Sequence, residues 1–125
     1  MKLLGDTAQA PGALREGDFT GTGYDIGGFS LNYHKHIHTG EGGVCVTNNG
    51  ELAERMRLIR NHGEAVVESS DPKILANILG FNFRMGEMEA AIGIEQLRKL
   101  SGLIEEKQAW ATQITEGLED LLGLR

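Results

Sequence analysis

The chain has 125 residues, a formal net charge of −6, 18 glycines, 2 prolines and a single cysteine. That length supports one domain with a core of its own. The acidic balance argues against nucleic acid and anionic membranes as partners, and no apolar run approaches the roughly 20 residues that a spanning helix needs. Cys45, being alone, excludes an internal disulfide and fits a reducing cytoplasm, while Met1-Lys2-Leu3-Leu4 lacks the apolar region of a secretory signal.

Lys2-Leu3-Leu4-Gly5-Asp6 reads as a short buried strand that ends in a carboxylate, with Thr7-Ala8-Gln9-Ala10 following as a turn or short helix. A carboxylate at the end of a strand is either a helix cap or a ligand group, and capping is the commoner fate. The glycines cluster from residue 17 to 43, so Glu16 to Gly23 reads as a turn-rich connection. Residues 25–31 read as a strand with Ser30 at its end, where a serine commonly satisfies local backbone groups. Lys35 follows. Lysine is the side chain that forms imines with aldehydes, for which the amine must be neutral, and partial burial favours a neutral amine. His34, His36 and His38 alternate around it. On a strand such alternation puts three imidazoles on one face, the pattern of a metal site. Lys35 in their midst would repel a cation and no nearby cysteine or aspartate completes a set, so the expectation is polar groups lining a site or the surface.

Gly40-Glu41-Gly42-Gly43 lacks the Lys-Ser/Thr of a phosphate-binding P-loop and the spacing of a dinucleotide fingerprint. It reads as a tight turn into a strand over 43–47, on which Cys45 is expected to pack as a small apolar residue. Asn48-Asn49-Gly50-Glu51 reads as a helix start with an asparagine cap. Leu52, Met56 and Ile59 share one face of that helix, and Gly63 is its C-terminal stop. Residues 64–79, broken by Ser69-Ser70-Asp71-Pro72, read as an exposed loop. Phe81 and Phe83 flank Asn82 in a segment that could simply pack by its aromatics onto a helix. From Gly86 onward apolar residues recur at helical steps through Leu121, with a bend expected at Ser101-Gly102 and the stripe expected to be core or interface.

Several of these strings occur together in one known family. DTAQAPGA at residues 6–13, the run from Tyr24 to Leu31, FS-x4-K-x4-GEGG at 29–43, RNHG at 60–63 and GFNFRM at 80–85 resemble, in the same order, the signatures of the DegT/DnrJ/EryC1/StrS sugar aminotransferases. The resemblance runs from Asp6 to about residue 107, with one departure at Gly5, where the family usually carries glutamate. It implies an α/β fold, part of the three-layer α/β/α large domain of fold-type I transferases that use pyridoxal 5'-phosphate (PLP). Residues 1–125 would be the central part of that domain, without its N-terminal part and the C-terminal small domain. It implies that Lys35 carries PLP covalently and shuttles protons, and that Asp6 holds the pyridine nitrogen. It further implies that Gln9 reaches the ring hydroxyl, that Ser30 bonds the phosphate, and that Asn82 reaches the phosphate of a second subunit while Arg84 braces its loop. The implied activity is transfer of an amino group, from glutamate, to a keto-sugar nucleotide by a cytoplasmic homodimer, in polysaccharide biosynthesis. A related sugar dehydratase, in which histidine commonly replaces the lysine, and a non-catalytic α/β interaction module are the alternatives.

Overall fold

The computed structural model describes residues 1–64 and 78–121. Most of the loop expected over 64–79 lies outside the described residues. The fold is α/β. Strands β1 (Leu4–Asp6), β4 (Ile26–Ser30) and β5 (Gly43–Val46) form a three-stranded sheet in the order β1-β4-β5. β1 runs parallel to β4, with Asp6 opposite Gly28, and β5 runs antiparallel to β4, with Cys45 opposite Gly28 and Gly43 opposite Ser30. Because successive side chains alternate across a strand, Asp6, Gly28, Ser30 and Cys45 share one face of the sheet. Gly5, Gly27 and Phe29 lie on the other.

That second face is covered by the chain itself. The segment from Gly21 to Tyr24 crosses it so closely that a Cβ at Gly27 would lie 2.2 Å from the Gly21 carbonyl oxygen, and one at Gly5 would lie 2.4 Å from the Tyr24 ring. Only glycine permits such approach. Among the described residues nothing covers the first face, and its exposure accounts for two differences from expectation. β1 is an edge strand of which only Gly5 is buried, while Leu4, on the open face, is 75% exposed, so it is not the buried strand its apolar letters suggest. Cys45 is exposed on edge strand β5 rather than packed.

The connection from Glu16 to Gly23 holds a feature its glycines hid. β2 (Leu14–Arg15) and β3 (Asp18–Phe19) pair antiparallel across Glu16 and Gly17, both at positive φ (54° and 92°). Positive φ at both central residues marks the primed turn that matches strand twist. The histidine segment, between β4 and β5, is built of turns. Leu31 to Gly42 folds as consecutive turns, so His34, His36 and His38 are not aligned by a strand pleat. Among the described residues, no three His, Cys, Asp or Glu side chains come together as a metal site.

Helix α1 spans Gly50–Arg60, and Asn49 caps it as expected, its side chain accepting from the Leu52 N–H at 3.0 Å. Leu52, Met56 and Ile59 share one half-buried face as expected, and Leu58 beside them is the fully buried residue, at 2% exposure. Its C-terminal cap is Asn61; His62 (φ 59°) and Gly63 (φ 78°) both take left-handed positions after it, and the Gly63 N–H closes onto the Leu58 carbonyl at 2.8 Å, as expected of the helix stop. Helix α2 runs unbroken from Glu87 to Leu118. A glycine inside a helix costs about 1 kcal/mol relative to alanine, and with no proline or competing cap beside it, Gly102 does not bend the helix into two. None of its residues is buried; Ile94, Leu97, Trp110 and Ile114 are all more than half exposed. Among the described residues the buried apolar side chains are Ile37 and Leu58, and no helix is long and apolar enough to cross a membrane.

Candidate functional site

Parallel neighbours end on the same side of a sheet, so the carboxyl ends of β1 and β4 bring Asp6 and Ser30 together on the open face. Two residues of strand span about 7 Å, and the position between them on β4 is Gly28, which has no side chain. A Cβ there would meet only the Gly5 carbonyl oxygen, at 3.9 Å. The result is a bare strip of backbone with a carboxylate at one side and a hydroxyl at its end.

Both end groups are partly used locally. Asp6 Oδ1 accepts from the Ala8 N–H at 3.1 Å, so the turn-capping role of a carboxylate is real; its second oxygen is given no protein partner among the described residues. Ser30 Oγ accepts from the Asn32 N–H at 3.2 Å, and so keeps its own proton to donate.

Lys35 sits in the loop that leaves β4, half-buried and without an acidic partner among the described residues. This loop is tied at several points. The Lys35 N–H donates to the Asn32 carbonyl at 2.9 Å, Asn32 Nδ2 donates to Glu41 Oε1 at 2.8 Å, and Asn32 Oδ1 accepts from the His34 N–H at 3.1 Å. Buried Thr39 donates its N–H to the Leu31 carbonyl at 3.0 Å and its hydroxyl to the Glu41 carbonyl at 2.8 Å. Asn32, Thr39 and Glu41 thus hold the lysine loop, and sequence reading passed over them. For Asn32 a signal existed, since asparagine readily bonds the backbone two residues on. The three imidazoles divide: His34 stacks on the exposed Tyr33 ring with centroids 3.8 Å apart, His36 faces a groove, and His38 buries an unpaired Nδ1.

Gln9 lies on the turn after β1 and lines a groove of about 480 Å³ with His36, between residues 9–14 and the α2 residues Ile104, Lys107, Gln108 and Ala111. Asn82 is tied to another part of the fold: it is exposed, and its backbone bridges Asn61 at the end of α1. Arg84 Nη1 donates to Asn61 Oδ1, the bracing the sequence led one to expect. So the fold places Asp6 and Ser30 on one face at the carboxyl ends of β1 and β4, holds Lys35 in the loop that leaves β4, lines a groove against α2 with Gln9, and ties Asn82 to the end of α1. At the opposite end of the strands, Asp25 accepts from Lys2 Nζ and the Leu3 N–H, both at 2.8 Å. The lysine bond first, and the backbone bond second, hold its carboxyl below the usual carboxylate range.

The profile of the DegT/DnrJ/EryC1/StrS aminotransferase family matches residues 1–125. The chain is 35% identical over 108 residues to a UDP-4-amino-4,6-dideoxy-N-acetyl-beta-L-altrosamine transaminase of Campylobacter jejuni, covering 86% of this chain and 28% of that protein. Its fold is similar to that of Helicobacter pylori PseC, an aminotransferase involved in the biosynthesis of pseudoaminic acid, with a TM-score of 0.86, 30% identity, and coverage of 98% of this chain and 32% of the other. It is also similar to the Escherichia coli GDP-4-keto-6-deoxy-D-mannose-3-dehydratase, solved with bound hydrated PLP, with a TM-score of 0.83 and 32% identity over 97% of this chain and 34% of the other. The chain therefore spans about a third of the length of these proteins. It belongs to the DegT/DnrJ/EryC1/StrS aminotransferase family.

Proposed function

We propose that this chain is the central part of the large domain of a PLP-dependent aminotransferase that transfers an amino group from glutamate to a keto-sugar nucleotide. The observation that supports the reading is Asp6 and Ser30 on one face beside the bare backbone at Gly28, with Lys35 in the tied loop that leaves the same strand. The family is PLP-dependent, and the residues present fit that cofactor. A flat ring needs a surface without side chains, its nitrogen needs an anion, and its phosphate needs donors; the strip at Gly28, the uncommitted Asp6 oxygen and the Ser30 proton are of those kinds.

PLP, when bound, supplies an electron sink for the charge that develops as a substrate carbon loses its proton. The chain's own groups do the rest. The Asp6 carboxylate keeps the proton on the ring nitrogen, Gln9 bonds the ring hydroxyl, and Ser30 donates to the phosphate. Lys35 Nζ holds the cofactor in the resting site, then takes the proton from the amine-bearing carbon of the donor and returns it as an acid. Its tied loop fixes where that amine can reach, which is the positional part of the catalysis. Asn82 serves the phosphate in the site of a second copy, which makes the working unit a homodimer. The dehydratase reading is the weaker one, because residue 35 is lysine.

The test is borohydride reduction of the whole gene product with PLP, followed by peptide mapping and an amino-transfer assay from glutamate. The label is expected on Lys35. A label on Lys2 or Lys73, or PLP binding without any amino transfer to a keto-sugar nucleotide, refutes the proposal.

A further inference from the structure

Two motifs far apart in the chain form one unit. The RNHG turn and the GFNFRM segment run against each other, with the Phe81 N–H donating to the Ile59 carbonyl (2.8 Å), the His62 N–H to Phe81 (2.9 Å) and the Phe83 N–H to Arg60 (3.0 Å). Asn61 and Asn82 form the antiparallel bridge between them. The approach is so close that a Cβ at Gly63 would lie 2.3 Å from the Ile78 carbonyl oxygen, and one at Gly80 would lie 2.0 Å from the Gly63 nitrogen. These glycines are required by the crossing itself.

Asn61 is the buried polar residue of this clasp, at 8% exposure. Its amide is used at both ends. Oδ1 accepts from Arg84 Nη1, and Nδ2 donates to the Glu64 carbonyl at 3.0 Å. Arg84 stands two places beyond Asn82, so its side chain is pinned to the residue that pairs with Asn82. Asn82 is left exposed on a fixed backbone.

We propose that Asn61 is a positioning residue for Asn82. Its buried amide latches Arg84, and the latch sets the register in which Asn82 presents its side chain to the cofactor phosphate. This rests on the reading of Asn82 given above. The physical ground is that a two-stranded pairing is marginal alone and that a one-residue slip turns every side chain to the other face. A guanidinium bonded to a buried acceptor is a directional, charge-assisted contact that a slip would break.

The test compares binding of PLP with binding of pyridoxal, which has no phosphate, by absorbance titration of the whole gene product. Asn82→Ala and Asn61→Ala are each expected to weaken PLP binding about tenfold or more while leaving pyridoxal binding unchanged. Asn61→Asp, which keeps an acceptor for Arg84, is expected to retain most of the affinity. Without cofactor, amide exchange at His62 and Phe83 is expected to quicken in Asn61→Ala and not in Asn82→Ala. If Asn61→Ala does not fold, Arg84→Ala and Asn61→Asp carry the same comparison. Equal weakening of PLP and pyridoxal in Asn61→Ala overturns the inference, because that is general damage. So does unchanged binding of both while Asn82→Ala still discriminates. If Asn82→Ala itself leaves the ratio of PLP to pyridoxal affinity unchanged, the phosphate reading of Asn82 falls, and the positioning role falls with it.

Discussion

Gly27 and Gly28 are neighbours on one strand, and the structure gives them opposite consequences when each is replaced by alanine. At Gly27 the new methyl would lie 2.2 Å from the Gly21 carbonyl oxygen. Reaching even the 3.0 Å floor of real Cβ contacts requires a retreat of 0.8 Å (3.0 less 2.2), and the obstacle is backbone rather than a flexible side chain. Overpacking typically costs about 1–3 kcal/mol, and an unyielding neighbour puts this site at about 2–3. For a domain of this size that lowers the melting temperature by about 10 °C. At Gly28 the methyl meets nothing closer than 3.9 Å, so stability should stay within about 0.5 kcal/mol of wild type. It would, however, stand on the strip between Asp6 and Ser30 where the ring is proposed to lie. The same steric cost then falls on the cofactor, and PLP affinity should drop about tenfold to a hundredfold at roughly 1.4 kcal/mol per decade. Urea or thermal melts and PLP titration of the two variants, with Gly23→Ala as an unobstructed control, decide the matter. A Gly27→Ala protein that melts like wild type refutes the packing argument. A Gly28→Ala protein that binds PLP like wild type refutes the placement of the ring.

The remaining expectations concern charge and assembly. Asp6→Asn should leave PLP bound but slow amino transfer about tenfold to a hundredfold, since a charge-assisted bond is worth about 1.5–3 kcal/mol at roughly 1.4 kcal/mol per tenfold; near-normal turnover would remove Asp6 from the reaction. Mixing a Lys35→Ala protein with an Asn82→Ala protein should restore activity through mixed dimers in which one site keeps both residues, whereas activity no higher than that of either parent means Asn82 does not act across subunits. The Asp25 carboxyl is held below its ordinary value by Lys2 and the Leu3 N–H. Its contribution is therefore fully present above the unfolded-state pKa and is lost as pH falls through the folded one. The difference in melting temperature between wild type and Asp25→Asn should shrink as the solution is acidified below the usual carboxylate range, and a difference that grows there would contradict the assignment.

Much of the local structure was legible in the chain because it depends on neighbours in sequence. The Asn49 cap, the strand ending at Ser30, the turn into β5 and the helical stripe of α2 follow from spacing and from groups a few residues apart. The candidate residues were legible for another reason: Asp6, Ser30 and Lys35 sit in strings that resemble one family, and spacing alone left Asp6 as readily a cap as a ligand. What the sequence could not supply was anything set by approach between distant segments. That Gly5 and Gly27 are buried, while Leu4 on the same edge is exposed, depends on Gly21 to Tyr24 crossing one face of the sheet and leaving the other open. The alternation of His34, His36 and His38 carries no record of turns; a bond accepted by the Asn32 side chain and one donated by Thr39 bend that segment into a loop. Likewise, Gly63 reads as a helix stop, and only the tertiary structure adds that it must be glycine because another backbone, at Ile78 and Gly80, passes against it. Local chemistry is written in nearby letters, whereas contact distance between remote segments is decided only when the chain has folded.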